Sequence, residues 1–148
     1  MDETDKNILN IIQAGFPVDA QPFKVLGRQI GIGEDEALER IKKLRDNGVV
    51  RRIGAVFDTK KLGFASTLCA ARVPGEKLEE FVEAVNSYSG VTHNYRRNHE
   101  YNTWFTFIAP TEEEIEKFLS EIIKKTGVEE IISMPVERRF KINANFEL

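Results

Sequence analysis

The chain has 148 residues, 41% of them hydrophobic and 30% charged, with a formal net charge of −3, a balance that suits one soluble globular domain or two small ones. No apolar run approaches the roughly 20 residues that span a bilayer, and the opening MDETDKNILN has neither the basic region nor the apolar core of a signal peptide. The acidic balance argues against a protein whose main task is holding nucleic acid, and the single cysteine, Cys69, excludes an internal disulfide and fits a reducing cytoplasm.

The first elements read as helices. In TDKNILNIIQAG, Ile8, Ile11 and Ile12 share a face that stops at Gly15. In QPFKVLGRQIGIG, Pro22 stands near a helix start, and Phe23, Leu26 and Ile30 follow at helical spacing. EDEALERIKKLRDNG carries the stripe Ala37, Leu38, Ile41 and Leu44 and closes on Asn47-Gly48. Three short helices with a tight glycine turn before the last predict a helix-turn-helix. VVRRIGAVFD then reads as a two-stranded wing bending at Gly54.

From Gly63 the period changes. FASTLCAARV reads as a strand that buries Cys69 as a structural thiol, and GEKLEEFVEAVNSY as an amphipathic helix. VTHNYRR and YNTWFTFIA predict two strands joined by a short turn. Thr111 caps EEEIEKFLSEIIKKTG, whose early glutamates and late lysines suit the helix dipole, and a last strand starts near Val128. The order is βαββαβ, the ferredoxin-like pattern. VERRFKINANFEL alternates apolar and polar residues apart from Arg138, and predicts an extra C-terminal strand that buries its apolar face, in this chain or against another subunit. The expected fold is thus α+β, a winged helix-turn-helix over residues 1–60 followed by a ferredoxin-like domain over residues 61–148.

The segment HNYRRNHEYNTWF, residues 93–105, contains both histidines of the chain, its only tryptophan and two of its three tyrosines. Alternation puts His93, Tyr95 and Arg97 on one face of a strand and Thr92, Asn94 and Arg96 on the other. Neither set suits an ordinary core, where arginine is almost never buried unpaired. Asn102 and Trp104 return together on the next strand, and His99 stands in or beside the turn. Arginine grips carboxylates in a fork, rings stack, and imidazole exchanges protons near neutral pH, so the group suits a flat, anionic, aromatic ligand. Two histidines without a cysteine or a well-placed carboxylate beyond Glu100 make a poor zinc set, and no resident metal is expected.

A winged helix-turn-helix followed by a ferredoxin-like domain resembles the Lrp/AsnC transcription regulators along essentially the whole chain, and LRDNGVVRRIGAVFDTKKLGF is close to their helix end, wing and linker. Glu34, Asp35 and Glu36, however, open the helix whose N-terminal end would face DNA, where phosphates repel carboxylates; DNA binding is not expected. Those regulators also tend to carry a glycine and, three residues on, an aspartate where this chain has His99 and Asn102, which speaks against an amino-acid effector.

The hairpin THNYRRNHEYNTWFT resembles more specifically that of the siroheme decarboxylases, Lrp/AsnC-like proteins of haem biosynthesis. His93, Asn94, Tyr95, Arg97, His99, Asn102, Trp104 and Phe105 match their pattern, whereas Arg96 falls where relatives often differ. The resemblance implies removal of carboxyl groups from two acetate side chains of siroheme, giving didecarboxysiroheme and carbon dioxide. It implies no cofactor beyond the iron tetrapyrrole that is the substrate, a paralogous second subunit, and a cytoplasmic enzyme. His93 or His99 would be the general acid, Arg97 and Arg96 would anchor carboxylates, Tyr95 and Trp104 would stack, and Asn102 would shape the turn or bind a propionate. Axial ligation of the substrate's iron by one histidine is a competing role. The alternative reading is a DNA-binding regulator responding to a small effector or to haem.

Overall fold

The computed structural model of the chain describes residues 1–138, 140, 141 and 145–148. It divides into two compact units, Met1–Val56 with Lys141–Leu148, and Phe57–Phe140.

The first unit holds α1 (Glu3–Ala14), α2 (Pro22–Ile30) and α3 (Glu34–Asp46). Asp2 and Asp5 cap the start of α1 reciprocally, each carboxylate accepting the other's backbone N–H at 2.9 and 3.1 Å. Pro22 opens α2, and Gly31, at φ 78°, supplies the left-handed turn that releases the chain toward α3. The apolar stripes meet around Ile8, Leu26, Ile41 and Leu44. Arg40, midway along α3, is held by Asp2, Asp5 and Glu36 at 2.8 to 2.9 Å, so this cation is spent on the helices' own acids.

The expected wing does not form: no strand occurs in residues 49–58. Val50 turns into the helical core, while Ile53, Val56 and Phe57 stay exposed. An isolated two-stranded hairpin with no surface to bury is marginal in water. The expected C-terminal strand is also absent among the described residues, and Arg139, Ile142, Asn143 and Ala144 of that stretch lie outside them. Pro135 ends the last strand and has no N–H with which to continue the ladder. Val136, Phe140, Phe146 and Leu148 are exposed. The Phe146 backbone is gripped at both its N–H and its carbonyl by the Gln13 side chain, at 2.8 and 2.6 Å.

The second unit follows the order β1 (Ala65–Ala71), α4 (Leu78–Asn86), β2 (Val91–Arg96), β3 (Thr103–Ala109), α5 (Glu112–Thr126) and β4 (Ile131–Pro135). The strands form one antiparallel sheet in the order β2-β3-β1-β4. Thr111 caps α5 by accepting the Glu114 N–H at 3.2 Å. At the other end Lys77 donates to the Thr126 and Gly127 carbonyls at 3.0 and 3.4 Å, satisfying acceptors that the helix leaves over. The last strand starts at Ile131, later than expected, because Val128 is taken into the core first.

Alternation decides which face of the sheet is covered. Cys69, Phe105 and Phe107 point toward α4 and α5 and pack with Phe81, Val85 and Phe118. Burial pushes the Cys69 thiol up to about 11, against the hydrogen bonds from Ser133 and Thr67, so it sits in the core as a neutral thiol and not as a nucleophile. The other face is left bare by α4 and α5: Leu68, Ile132 and Met134 are exposed there, with Leu68 opposite Met134 across β1 and β4.

Candidate active site

The site is built on that bare face, and a single irregularity in β2 puts it there. Val91 pairs with Phe107 and packs with the core, whereas His93, two residues on, pairs with Thr106. A β-bulge between them adds one residue to β2 and reverses its facing. Regular alternation would have sent His93 and Tyr95 into the helix layer behind Val91. Gly90 makes the approach possible, since a Cβ there would fall on the Ile108 carbonyl and the Phe107 ring.

Beyond the bulge the side chains form rows across three strands. Leu68, Thr106 and His93 make one row, and Ala70, Trp104 and Tyr95 the next. His93 stacks on Tyr95 with centroids 5.9 Å apart and planes 29° apart, and the Arg97 guanidinium lies 5.7 Å from the centre of the Tyr95 ring. These groups, with Asn98 and His99 from the hairpin tip, line an open cavity of about 580 Å³, within the range usual for small-molecule sites. Arg97 forms no ion pair with a carboxylate of the described residues, so its fork is available to an anion.

The tip orients its rings through its backbone. The Tyr101 N–H donates to His99 Nδ1 at 3.1 Å, so neutral His99 carries its proton on Nε2. Trp104 Nε1–H donates to the Tyr101 carbonyl at 2.7 Å. His93 Nδ1 lies 3.1 Å from the Thr92 hydroxyl, which can accept from it or donate to it.

Of the residues singled out in the sequence, His93, Tyr95, Arg97, His99 and Trp104 come together at the cavity. Arg96 does not join them. It pairs with Thr103 on the helix side, as Asn94 does with Phe105, and the Asn94 amide donates to Asn86 Oδ1 at 2.9 Å. Asn102 is absent from the lining, and its amide is bonded to the Val73 backbone. Sequence reasoning missed Leu68, Asn98 and Thr106 of the lining. Leu68 and Thr106 were within reach, since both share the alternation of Trp104, but the pairing of β1 with β3 had not been tied to the hairpin. Tyr101 carries no comparable signal, because it acts through its peptide group. Among the described residues no three His, Cys, Asp or Glu side chains cluster as metal ligands would.

Comparison with known proteins places this chain in a family. A family model described as an AsnC-like ligand binding domain matches residues 61–141, and one described as a siroheme decarboxylase NirDL-like HTH domain matches residues 5–51. The siroheme decarboxylase alpha subunit of Oleidesulfovibrio alaskensis (strain ATCC BAA-1058 / DSM 17464 / G20) is 50% identical over 148 residues, covering 100% of this chain and 90% of the relative. The crystal structure of the siroheme decarboxylase NirDL in co-complex with an iron-uroporphyrin III analogue superposes with a TM-score of 0.71 at 38% identity, over 89% of this chain and 44% of that one. An AsnC family transcriptional regulator from Agrobacterium tumefaciens matches at a TM-score of 0.81 over 99% of this chain and 96% of its own, with 23% identity, a likeness of fold alone. The chain belongs to the siroheme decarboxylases, within the AsnC-like fold.

Proposed function

We propose that the protein is a siroheme decarboxylase subunit that removes carboxyl groups from two acetate side chains of siroheme, releasing carbon dioxide and leaving methyl groups, in haem biosynthesis. The observation that carries this reading is the cavity on the open sheet face, where an unpaired arginine, two histidines and two aromatic rings converge. A relative of the same family is known bound to an iron-uroporphyrin analogue, a macrocycle of the same flat, polycarboxylate kind. The division of labour follows the chain, with residues 1–60 as scaffold and residues 61–148 carrying the chemistry. α3 begins with the exposed Glu34, Asp35 and Glu36, and Arg40 is bound to acids, which favours a scaffold over a DNA reader.

In each decarboxylation the bond between the acetate methylene and its carboxylate breaks, carbon dioxide leaves, and the electron pair stays with the carbon. The conjugated macrocycle spreads that charge, and one proton completes the methyl group, so two protons are consumed per siroheme and no redox change occurs. Arg97 holds a substrate carboxylate and fixes the orientation. Tyr95 and Trp104 support the ring by stacking. His93 is the better general acid of the two histidines. The Thr92 hydroxyl can accept from Nδ1, so both ring nitrogens of His93 can carry protons, whereas protonating His99 Nδ1 would break its bond from Tyr101. His99 then serves as a neutral Nε2–H donor toward the substrate. No further cofactor is required in this scheme.

The relative's name designates it a subunit, and we extend this to a paralogous partner for the present chain. A cytoplasmic location agrees with the reducing compartment that the lone cysteine suits, and no helix of the described residues is long and apolar enough to cross a membrane. The deciding experiment is anaerobic incubation with siroheme, with and without the paralogue, followed by mass spectrometry of the tetrapyrrole. Loss of one or two carbon dioxide units is expected. Tight binding with an unchanged mass in both samples would turn the cavity into a sensor site and sink the enzyme reading.

A further inference from the structure

The hairpin tip is steered by the backbone of one residue. Tyr101 gives its N–H to His99 Nδ1 and takes Trp104 Nε1–H on its carbonyl, at 3.1 and 2.7 Å, and its ring stacks on His99 with centroids 6.3 Å apart. Two rings that line the cavity therefore depend on where the Tyr101 backbone points.

The next residue fixes that backbone. The Asn102 carbonyl accepts the Arg97 N–H at 2.7 Å, closing the turn. Its side-chain Oδ1 accepts the Val73 N–H at 3.0 Å, and its Nδ2 donates to the Val73 carbonyl at 2.8 Å. The amide thus copies one rung of a β-ladder, with the backbone N–H and carbonyl of one residue on the other side. Val73 lies just past β1 and is 3% exposed, a position where an unbonded N–H and carbonyl would each be costly. Among the described residues these are the only side-chain hydrogen bonds from residues 98–102 to a segment outside the β2–β3 hairpin.

We infer that Asn102 is a positioning residue: its clasp on Val73 holds the Tyr101 backbone in the conformation that sets the His99 tautomer and the plane of Trp104. The inference rests on the decarboxylase reading for its catalytic consequence only. Of the two roles expected for Asn102, shaping the turn or binding a propionate, it takes the first, because the amide is turned to Val73 and does not line the cavity. Asparagine is suited to this position because the clasp needs an acceptor and a donor on one planar group.

The test compares the parent with Asn102→Ala, which removes both bonds, and Asn102→Asp, which keeps an acceptor for the Val73 N–H but sets a carboxylate oxygen against the Val73 carbonyl. Trp104 is the only tryptophan of the chain, so its emission reports the tip directly. Selective ¹⁵N labelling of histidine reads the tautomers by long-range ¹H–¹⁵N correlation. In the parent, His99 should show a protonated Nε2 and a bare Nδ1. Asn102→Ala should shift Trp104 emission to the red, at least about double its quenching by acrylamide and blur the His99 tautomer. It should also lower kcat by about 10- to 100-fold while siroheme Kd changes less than about 3-fold, the signature of lost orientation. Asn102→Asp should fall between the two, and it carries the test if the alanine variant loses its far-UV circular dichroism.

Unchanged emission and tautomer in both variants, with siroheme binding weakened about 10-fold or more, would overturn the inference and return Asn102 to the substrate. A parent His99 protonated on Nδ1 would overturn it as well. Neither optical nor NMR readout uses siroheme, so a parent that fails to decarboxylate would sink the functional reading and leave the clasp separately measured.

Discussion

Val91 and His93 stand two residues apart on β2 and face opposite sides of the sheet: Val91 packs with the core beside Phe107, and His93 opens onto the cavity beside Thr106. The bulge between them links the packing of the unit to its chemistry. Deleting Thr92 removes the extra residue and leaves regular alternation, with Val91 still opposite Phe107 and His93 still opposite Thr106. Val91 then stays in the core while His93 and Tyr95 stay outside. The deletion should shift the melting temperature by no more than about 4–8 °C, the effect of about 1 kcal/mol, and leave siroheme Kd within about 3-fold. Thr92→Ser, which keeps the residue count and the hydroxyl, should stay near the parent in both measurements. A deletion variant that binds siroheme about 10-fold more weakly or worse would show that the bulge aims the site by more than its residue count.

The same reversal decides which of the two adjacent arginines meets the cavity. Arg97 lies by the Tyr95 ring at the cavity and Arg96 on the opposite side of the strand. Hydrogen bonds to a charged group contribute about 1.5–3 kcal/mol, so Arg97→Ala should weaken siroheme binding by about 10- to 100-fold in an absorbance titration. Arg97→Lys should recover only part of that, since a point charge replaces a fork. Arg96→Ala should change Kd by less than about 2-fold, as expected of an exposed charge away from the ligand. Equal losses from Arg96 and Arg97 would mean that a second face of β2 meets the substrate.

Much of this was legible in the sequence because each signal was local. Alternation in FASTLCAARV and YNTWFTFIA, the Thr111 cap and the glycines that close α1, α2, α3 and α5 locate their elements with no knowledge of the partners. The hairpin stood out because uncommon residues crowd into a short span. The bulge was not legible, since VTHNYRR reads as unbroken alternation and the extra residue is recognised only against the register of β3. Arg96 was grouped with Arg97 as a carboxylate anchor by the resemblance, although alternation already sets the two on opposite faces. The wing was misread in the opposite way, and no terminal strand occurs among the described residues: VVRRIGAVFD and VERRFKINANFEL have strand-like patterns, but a pattern forms a strand only when another strand receives its hydrogen bonds. The Asn102 clasp is a contact between residues 73 and 102, a separation that no periodicity spans.

Cys69 offers a check on the core that is independent of the substrate. Its thiol is raised from 9.0 to about 11, chiefly by burial. A raised acid keeps its proton longer in the folded state, so its contribution to stability is complete below pH 9 and is lost as pH rises toward about 11. The loss amounts to at most about 3 kcal/mol. Guanidinium unfolding across that window should show an alkaline decline in the parent that Cys69→Ala lacks. A thiol reagent at neutral pH should label Cys69 only as fast as the unit opens, and rapid stoichiometric labelling of the native protein would contradict the burial.

The two histidines differ in what their Nδ1 atoms meet, a hydroxyl for His93 and a backbone N–H for His99. Loss of a general acid costs about 100- to 10,000-fold in the proton-transfer step, so His93→Gln should lower kcat on that scale while leaving siroheme Kd within about 3-fold. The limb of the pH–rate profile that reports the protonated acid should vanish with it. His99→Gln keeps an amide N–H near the position of Nε2–H and should lower kcat by about 10-fold, with that limb intact. Single-turnover carbon dioxide release at several pH values, with Kd measured in parallel, separates the two. If the limb survives in His93→Gln and disappears in His99→Gln, the roles are exchanged, and the Tyr101 peptide must then release His99 Nδ1 before protonation, which would make the hairpin tip a moving part of the reaction.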